Sequence, residues 1–379
     1  MHWRMEIDKK IRLSKCCLGS NAIDFVNDAL SSSYLGMGEF VYKFEAKLKN
    51  YLGREAITVN SGTTALHLAL ESLELKSTDE IIAPSITYLS TFQAIIAAGV
   101  KPIACDIKEN GQICLDSVKN LINQNTKAII PVHYAGNSFD IEGLYTLAKE
   151  NNIRVIEDAA HAFGSKYSGK LIGSFGDIVC FSFDGIKNIT CGEGGCIVTD
   201  DKNLKEVIKS KRSLGVKNDY KNRFKNKRTW DPKVSIKGWR AHMSNIHAAI
   251  GISQFEIMHR NFEKRKSLAN YYSEKLSFLS PYLDIVEISD EHIPHILPII
   301  INKGERDNLR EFLAECSVET GVHYYPCHLL DLFKTNYELK KSQSFYKKTL
   351  SLPLHPSLRF NEIDYIIDKI SLFIKKENL

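Results

Sequence analysis

Short apolar runs alternate with amphipathic stretches along the amino-terminal half of the chain. Each run is rich in β-prone residues and bounded by turn residues, which is typical of a buried strand. Strands are predicted at residues 57–59, 80–84, 102–106, 128–132, 154–156, 178–183 and 196–199. Helices are predicted at residues 20–31, 40–52, 65–73, 89–98, 118–122 and 141–151. This alternation predicts an α/β fold with a large, mostly parallel sheet and helices on both faces.

The pattern changes beyond about residue 260. Helices are predicted there and just before it, at residues 246–258, 261–276, 306–315 and 362–374, together with a strand at 296–301. We interpret this part as a smaller α/β carboxyl-terminal domain. The predicted boundaries are 15–255 for the large domain and 256–379 for the small one, with residues 1–14 left open as an addition packed on the small domain.

One lysine, Lys187, lies between two of the predicted buried strands. Gly185 ends the first of them, so the lysine lies on a short loop where an amine can lose solvation. Desolvation lowers the pKa of a lysine and frees its amine for Schiff-base chemistry. The alternative for a lone lysine is an ordinary exposed side chain. Lys187 is therefore a candidate catalytic residue that needs support from other residues.

Support comes from Asp158, which follows the strand predicted from residue 154. At the carboxyl end of a strand in an open α/β sheet, such a side chain points into the ligand crevice. A buried carboxylate there would hold the proton that pyridoxal phosphate needs on its ring nitrogen to act as an electron sink. His161 is a candidate donor to the ring oxygen of the same cofactor, and its alternative is a satisfied core histidine.

A turn of small residues opens the helix predicted from residue 65. Backbone N–H groups at such a helix start point outward and bind phosphate together with the helix dipole. Gly62 and Thr63 are therefore the predicted phosphate cradle, and Ser182 would add its hydroxyl if the two loops meet. A plain helix cap is the alternative explanation of the turn.

Five blocks of the sequence, at residues 61–66, 84–88, 157–161, 182–195 and 238–251, resemble in order those of the DegT/DnrJ/EryC1/StrS family of sugar aminotransferases. That family consists of pyridoxal-phosphate enzymes of aspartate-aminotransferase (fold type I) architecture. The resemblance implies pyridoxal 5'-phosphate as cofactor and a homodimer with shared active sites. It also implies that Tyr88 stacks on the pyridine face, where a flat aromatic ring restricts the tilt of the cofactor; a core tyrosine is the alternative.

The resemblance also points to substrate-binding residues. His323, Tyr324 and His328 match the family's segment at the sugar-binding mouth, and a loop held by aromatic packing is the alternative. The glycines at residues 36 and 38 match a region near the active site.

The block at residues 238–251 departs from the common family pattern. Many members carry an asparagine that reaches across the dimer to the partner's cofactor phosphate, and this chain has Arg240 in that place. An arginine can still bind phosphate, so Arg240 is predicted to keep the role. His242 replaces the family's arginine and is assigned to substrate binding.

A basic stretch precedes this block. Residues 209–237 contain eleven lysines and arginines but only two acids. Such a stretch could attract a nucleotide diphosphate; a solvated loop is the alternative.

The composition and charge of the chain agree with the fold and function predicted from these motifs. The chain has 379 residues, is 44% hydrophobic and carries a net charge of +5, as an ordinary globular protein does. No nucleic-acid-reading motif and no long apolar run is present, so neither nucleic acid nor membrane is an expected partner. The nine cysteines lack CxxC spacing, which favours reduced thiols and predicts no metal site. The charged start of the chain lacks a signal-peptide pattern, and we expect a cytoplasmic protein.

These observations predict an aminotransferase that moves an amino group, from glutamate as the resemblance implies, to a nucleotide-linked keto sugar for amino-sugar or surface-polysaccharide synthesis. A 4-keto-6-deoxy hexose is the preferred acceptor, and a 3-keto sugar is the alternative. Relatives that act as dehydratases carry histidine in place of the lysine, so Lys187 argues against that reaction. The resemblance covers most of residues 15–330. A non-enzymatic sensor is disfavoured, because fewer than twenty residues precede this region and leave no room for a DNA-binding module.

Overall fold

A computed structural model describes residues 10–216, 233–287 and 289–377. A seven-stranded sheet forms its centre, in the order β1-β9-β8-β5-β4-β2-β3. Its strands are β1 (Ala56–Val59), β2 (Glu80–Pro84), β3 (Lys101–Cys105), β4 (Thr126–Ile129), β5 (Arg154–Asp158), β8 (Ile178–Ser182) and β9 (Gly195–Thr199), and a small hairpin of β6 (Lys166–Tyr167) and β7 (Lys170–Leu171) lies outside it.

The sheet is mostly parallel. Strands β2, β3, β4, β5 and β8 pair in parallel, whereas β9 runs antiparallel between β1 and β8. Parallel pairing brings the carboxyl ends of β5 and β8 to one edge, with Asp158 opposite Cys180. The predicted fold class is confirmed, and the edge that it implies for a ligand lies where Asp158 and Ser182 end their strands.

Helices cover the sheet as the amphipathic pattern predicts. Those of the amino-terminal part are α1 (Ala22–Ser31), α2 (Glu39–Leu52), α3 (Gly62–Glu71), α4 (Leu89–Ala97), α5 (Leu115–Leu121), α6 (Ile141–Glu150) and α7 (Lys202–Lys211). The first six confirm the predicted helices within a few residues at most ends. Helix α7 was not predicted, and its last three residues overlap the basic stretch.

A second, antiparallel sheet lies in the carboxyl-terminal part, in the order β10-β11-β12. Its elements are β10 (Leu283–Ile285), β11 (Leu297–Ile301), β12 (Thr349–Leu352) and the helices α9 (Arg306–Glu315), α10 (Lys340–Lys348) and α11 (Phe360–Lys376). Leu297, Leu350 and Ile366 are fully buried in its own apolar cluster. Ile11 joins this cluster and bridges to Val318. The domain boundaries given above stay a prediction.

One helix, α8 (Asn245–Leu276, 32 residues), joins the two parts. Ala248 and Ile252 are buried in the cluster of the large sheet, whereas Leu268 and Leu276 are buried in that of the small sheet. The sequence predicted two helices here because the spacing of apolar residues changes near residue 260. No glycine or proline interrupts the chain at that point, so the helix continues.

Candidate active site

A cavity of about 390 Å³ opens at the carboxyl edge of β5 and β8. Helix starts, the loop after β8 and the segment around residue 323 form its walls. The cavity brings together nine of the residues predicted from the sequence: Gly62, Thr63, Tyr88, Asp158, His161, Ser182, Lys187, His323 and Tyr324.

Lys187 is half-buried in this cavity. Its backbone N–H donates to the carbonyl of Asp184 at 3.1 Å, and the next residue, Asn188, is buried and donates to the carbonyl of Phe163 at 3.1 Å. Burial lowers the pKa of Lys187 to about 8, although the nearby carboxylates of Asp158 and Asp184 oppose the shift. The desolvated amine expected from the sequence is therefore present.

Asp158 is buried at the end of β5 and accepts two hydrogen bonds. Thr91 Oγ1 donates at 2.9 Å and the backbone N–H of Ala160 at 3.2 Å. Burial raises the pKa of Asp158, and these two hydrogen bonds oppose the shift. Thr91 itself is hydrogen bonded to Thr87 at 2.8 Å. Thr91 was missed in the sequence, because it lies on α4 and meets Asp158 only through the packing of the helix on the sheet.

Two loops meet at the predicted phosphate cradle. A Cβ placed on Gly62 would lie 2.7 Å from the Cβ of Ser182, so only glycine allows this approach without a shift. Ser61 caps α3 by accepting from the N–H of Thr64 at 3.1 Å. The helix cap and the phosphate cradle are therefore compatible. Ser61 accepts from the N–H of Thr64, whereas the N–H groups of Gly62 and Thr63 have no acceptor within the helix and can bind an anion.

Imidazole rings form the opposite wall. His161 Nε2 and the hydroxyl of Tyr324 are 3.0 Å apart, and the His161 ring lies 4.3 Å from that of His295. His323 Nδ1 is 2.8 Å from Ser351 Oγ. Burial lowers the pKa of all three histidines, which favours the neutral form of these rings at neutral pH. His295 lines the cavity but was not found in the sequence, since nothing local marks it.

Tyr88 stands at the rim, 59% exposed. Its ring centroid lies 5.8 Å from that of Tyr324. Tyr88 lines the cavity and is largely exposed, so its ring is accessible to a stacking partner.

Three predicted residues are not among those that line the cavity: Arg240, His242 and His328. The side chain of Arg240 is exposed, and its backbone forms an isolated antiparallel β-bridge with Ser213. His242 is half-buried. His328 is buried, with its Nδ1 2.6 Å from Ser85 Oγ, and so ties its own segment to the end of β2. Their assigned roles stay predictions.

Two other regions singled out in the sequence, the glycines at 36 and 38 and the described part of the basic stretch, are not among the residues that line the cavity. Gly38 donates to Asn245 Oδ1 at 3.1 Å, at the start of α8, rather than lining the cavity of its own chain. Most of the basic stretch, residues 217–232, lies outside the described residues. Its far end is held at Glu71, whose Oε1 accepts from Lys237 Nζ at 3.2 Å.

The side chains suit pyridoxal phosphate. The cavity offers one amine with a lowered pKa, one buried carboxylate and a glycine-lined helix start for an anion. These are the groups that the aldehyde, the ring nitrogen and the phosphate of that cofactor require. Among the described residues no cluster of three or more metal-ligating side chains occurs, and no helix is long and apolar enough to cross a membrane.

Comparison with known proteins agrees with this geometry. The DegT/DnrJ/EryC1/StrS aminotransferase family matches residues 17–371. GDP-perosamine synthase of Escherichia coli O157:H7 is 34% identical over 92% of this chain and 94% of its own length. A UDP-4-amino-4,6-dideoxy-N-acetyl-beta-L-altrosamine transaminase of Campylobacter jejuni is 32% identical over 93% and 95%.

Solved structures give the same result. Helicobacter pylori PseC, an aminotransferase involved in the biosynthesis of pseudoaminic acid, superposes with a TM-score of 0.91 at 29% identity, covering 97% of this chain and all of PseC. The putative sugar aminotransferase Spr1654 of Streptococcus pneumoniae, in its PLP form, superposes with a TM-score of 0.88 at 26% identity, covering 97% and 99%. The chain therefore belongs to the DegT/DnrJ/EryC1/StrS aminotransferase family and is a pyridoxal-phosphate-dependent sugar aminotransferase.

Proposed function

We propose that this enzyme transfers the amino group of glutamate to C4 of a nucleotide-linked 4-keto-6-deoxy hexose, as a step in amino-sugar or surface-polysaccharide synthesis. The observation that carries the catalytic part is Lys187, whose amine has a lowered pKa and shares one cavity with the buried carboxylate of Asp158. The proposal includes a cytoplasmic homodimer with shared sites. All nine cysteines are free thiols, which agrees with a reducing compartment.

Pyridoxal phosphate, when bound, supplies an electron sink that makes a proton next to the amino group removable. Lys187 would hold the cofactor through its amine and then take and return that proton, because an amine with a pKa near 8 is partly neutral at physiological pH. Asp158, fixed by Thr91, would keep the proton on the ring nitrogen. Gly62, Thr63 and Ser182 would bind the phosphate.

The acceptor is inferred from the wall and from the relatives. Neutral imidazole and phenol groups, such as His323 and Tyr324, suit the hydroxyls of a sugar rather than a second charged group. The Campylobacter relative is named for a sugar with its amino group at C4 and deoxygenated at C6. The first observation supports a sugar acceptor, the second favours a 4-keto-6-deoxy sugar, and a 3-keto sugar is the second candidate.

The test uses purified holoenzyme with glutamate and, in separate reactions, nucleotide-linked 4-keto-6-deoxy and 3-keto-6-deoxy hexoses. We expect amination at C4, read by NMR of the product, with 2-oxoglutarate formed in equal amount. Lys187→Ala is the inactive control. Amination at C3 alone would refute the choice of sugar but not the reaction. Absence of 2-oxoglutarate while another amino acid supports amination would refute glutamate.

A further inference from the structure

Asp184 is a second carboxylate on the cavity wall, three residues before Lys187. Its carbonyl holds the N–H of Lys187, and its own N–H points to Ser182 Oγ at 3.4 Å. The side chain is partly exposed. No role follows for this residue from the binding of the cofactor, since Asp158 already supplies the carboxylate for the ring nitrogen.

The carboxylates of Asp158 and Asp184 differ in the number of hydrogen bonds that they accept. Asp158 is buried and accepts from Thr91 and Ala160, whereas within the described part of the chain Asp184 accepts only from the N–H of Ile186, at 3.3 Å. No ion pair to Asp184 is formed within 4.0 Å by any lysine, arginine or histidine among residues 10–216, 233–287 and 289–377. An ionised carboxylate offers about four acceptor positions. Asp184 therefore has acceptor capacity left, on the side of the cavity.

The neighbours of Asp184 locate it near the reacting region. Its charge acts on Lys187 and Tyr324, although burial has the larger effect on the pKa of each. Two other polar groups of the cavity already have partners, since the hydroxyl of Tyr324 pairs with His161 and Nδ1 of His323 with Ser351. Glu193 also lines the cavity but is exposed, whereas the charge of Asp184 acts on Lys187. A hydrogen-bond donor that enters beside Lys187 thus finds Asp184 as an available carboxylate acceptor.

We propose that Asp184 accepts a hydrogen bond from a hydroxyl of the sugar acceptor and so determines specificity in that half of the reaction. The inference rests on the proposed function, in which a sugar and an amino acid use one cavity in turn. A sugar presents neutral O–H donors, which a carboxylate binds. Glutamate presents carboxylates, which a fixed negative charge repels. One residue should therefore favour one substrate and disfavour the other.

The experiment measures the two half-reactions separately on the holoenzymes of Asp184→Ala and Asp184→Asn. Glutamate is mixed with the pyridoxal form, the keto sugar is mixed with the aminated form of the cofactor, and the absorbance change is followed in each. For Asp184→Ala we expect the KM of the sugar to rise about 10-fold to 150-fold, the range for a hydrogen bond to a charged group. The KM of glutamate should stay equal or fall. Asp184→Asn keeps one acceptor oxygen and should lie in between.

Opposite effects on the two substrates separate this role from damage to the fold or to Lys187, which would impair both half-reactions. Asp331→Asn removes an equal charge from an exposed position away from the cavity wall and should change neither KM. A sugar KM within twofold of the wild-type value, or a parallel rise of both KM values, would overturn the role of Asp184 alone. Failure of the wild-type enzyme to aminate any keto sugar, while glutamate still reacts, would overturn the proposed function and this inference together.

Discussion

Gly62 and Ser182 approach each other so closely that a Cβ on Gly62 would lie 2.7 Å from the Cβ of Ser182 and 3.2 Å from its Cα. The contact joins the start of α3 to the end of β8. Because Gly62 offers a backbone N–H at a helix start and Ser182 a hydroxyl, we expect the two loops to bind one anion together.

Replacing Gly62 by alanine should therefore weaken the binding of pyridoxal phosphate. Alanine normally favours a helix over glycine, but here its methyl group must push the loop of Ser182 away. We expect about tenfold weaker binding, in the range of overpacking costs, measured by titrating the apoenzyme with cofactor. Gly36→Ala is the matched control, because the nearest atom to its Cβ would be 3.9 Å away on Tyr34. Equal affinity of Gly62→Ala and wild type would contradict the cradle.

The pH dependence of cofactor attachment should reflect the lowered pKa of Lys187. An ordinary lysine with a pKa near 10.5 is neutral to about one part in 3,000 at pH 7, whereas a pKa of about 8 leaves about one tenth neutral. Attachment to the apoenzyme should therefore speed up as pH rises, with its midpoint near pH 8, and level off about one pH unit higher. The readout is the rate of borohydride-fixable attachment at Lys187. A rate that keeps rising to pH 10 would show an unperturbed lysine.

Thr91 should act by fixing Asp158. Thr91→Val keeps the shape of the side chain but removes the donor at 2.9 Å, and a lost hydrogen bond to a charged group corresponds to about 1.5–3 kcal/mol. We expect kcat to fall about tenfold or more, with a shifted absorption band of the bound cofactor. Thr91→Ser, which keeps the hydroxyl, should restore most of both. If valine and serine behave alike, the hydroxyl has no part in the reaction.

Mixed dimers test whether Arg240 serves the partner's site. Arg240→Ala and Lys187→Ala should each be impaired alone at limiting cofactor. When the two are mixed and reassembled, about half of the dimers are hybrids, and each hybrid has one site with both native residues if Arg240 acts across the interface. We expect about a quarter of wild-type activity, measured after reassembly at limiting cofactor. No recovery in hybrids that size and mass analysis confirm would place Arg240 in its own chain's site or outside both.

The sequence predicted the parts of the site that depend on local structure. Lys187, Asp158 and Gly62 each follow a strand or open a helix, and strand ends and glycine turns leave recognisable patterns over a few residues. Their meeting at one edge follows from the parallel pairing of β5 and β8.

Residues that reach the site because distant elements pack together have no such local pattern in the sequence. Thr91 meets Asp158 because α4 lies on the sheet, and His295 meets His161 because the carboxyl-terminal part folds back over the cavity. His328 was predicted from its aromatic segment to bind the sugar, and its ring is buried against Ser85 rather than among the residues that line the cavity, so its role stays a prediction. Which side of a segment faces a cavity is decided by contacts between elements far apart in sequence.

Helix α8 also sets how the cavity can open. Its 32 residues span about 48 Å and are fixed at both ends in different apolar clusters. Near its middle, the buried Arg265 donates to the carbonyls of His295 at 3.1 Å and Leu354 at 3.3 Å. These bonds hold a residue of the cavity wall and the segment after β12 against the same helix. A continuous helix has no residue that can absorb a large change in φ and ψ, so the two sheets are poorly suited to swing apart like a hinge. Substrate exchange should then depend on small rearrangements at the rim, around Tyr88, while the reacting groups keep their spacing throughout the catalytic cycle.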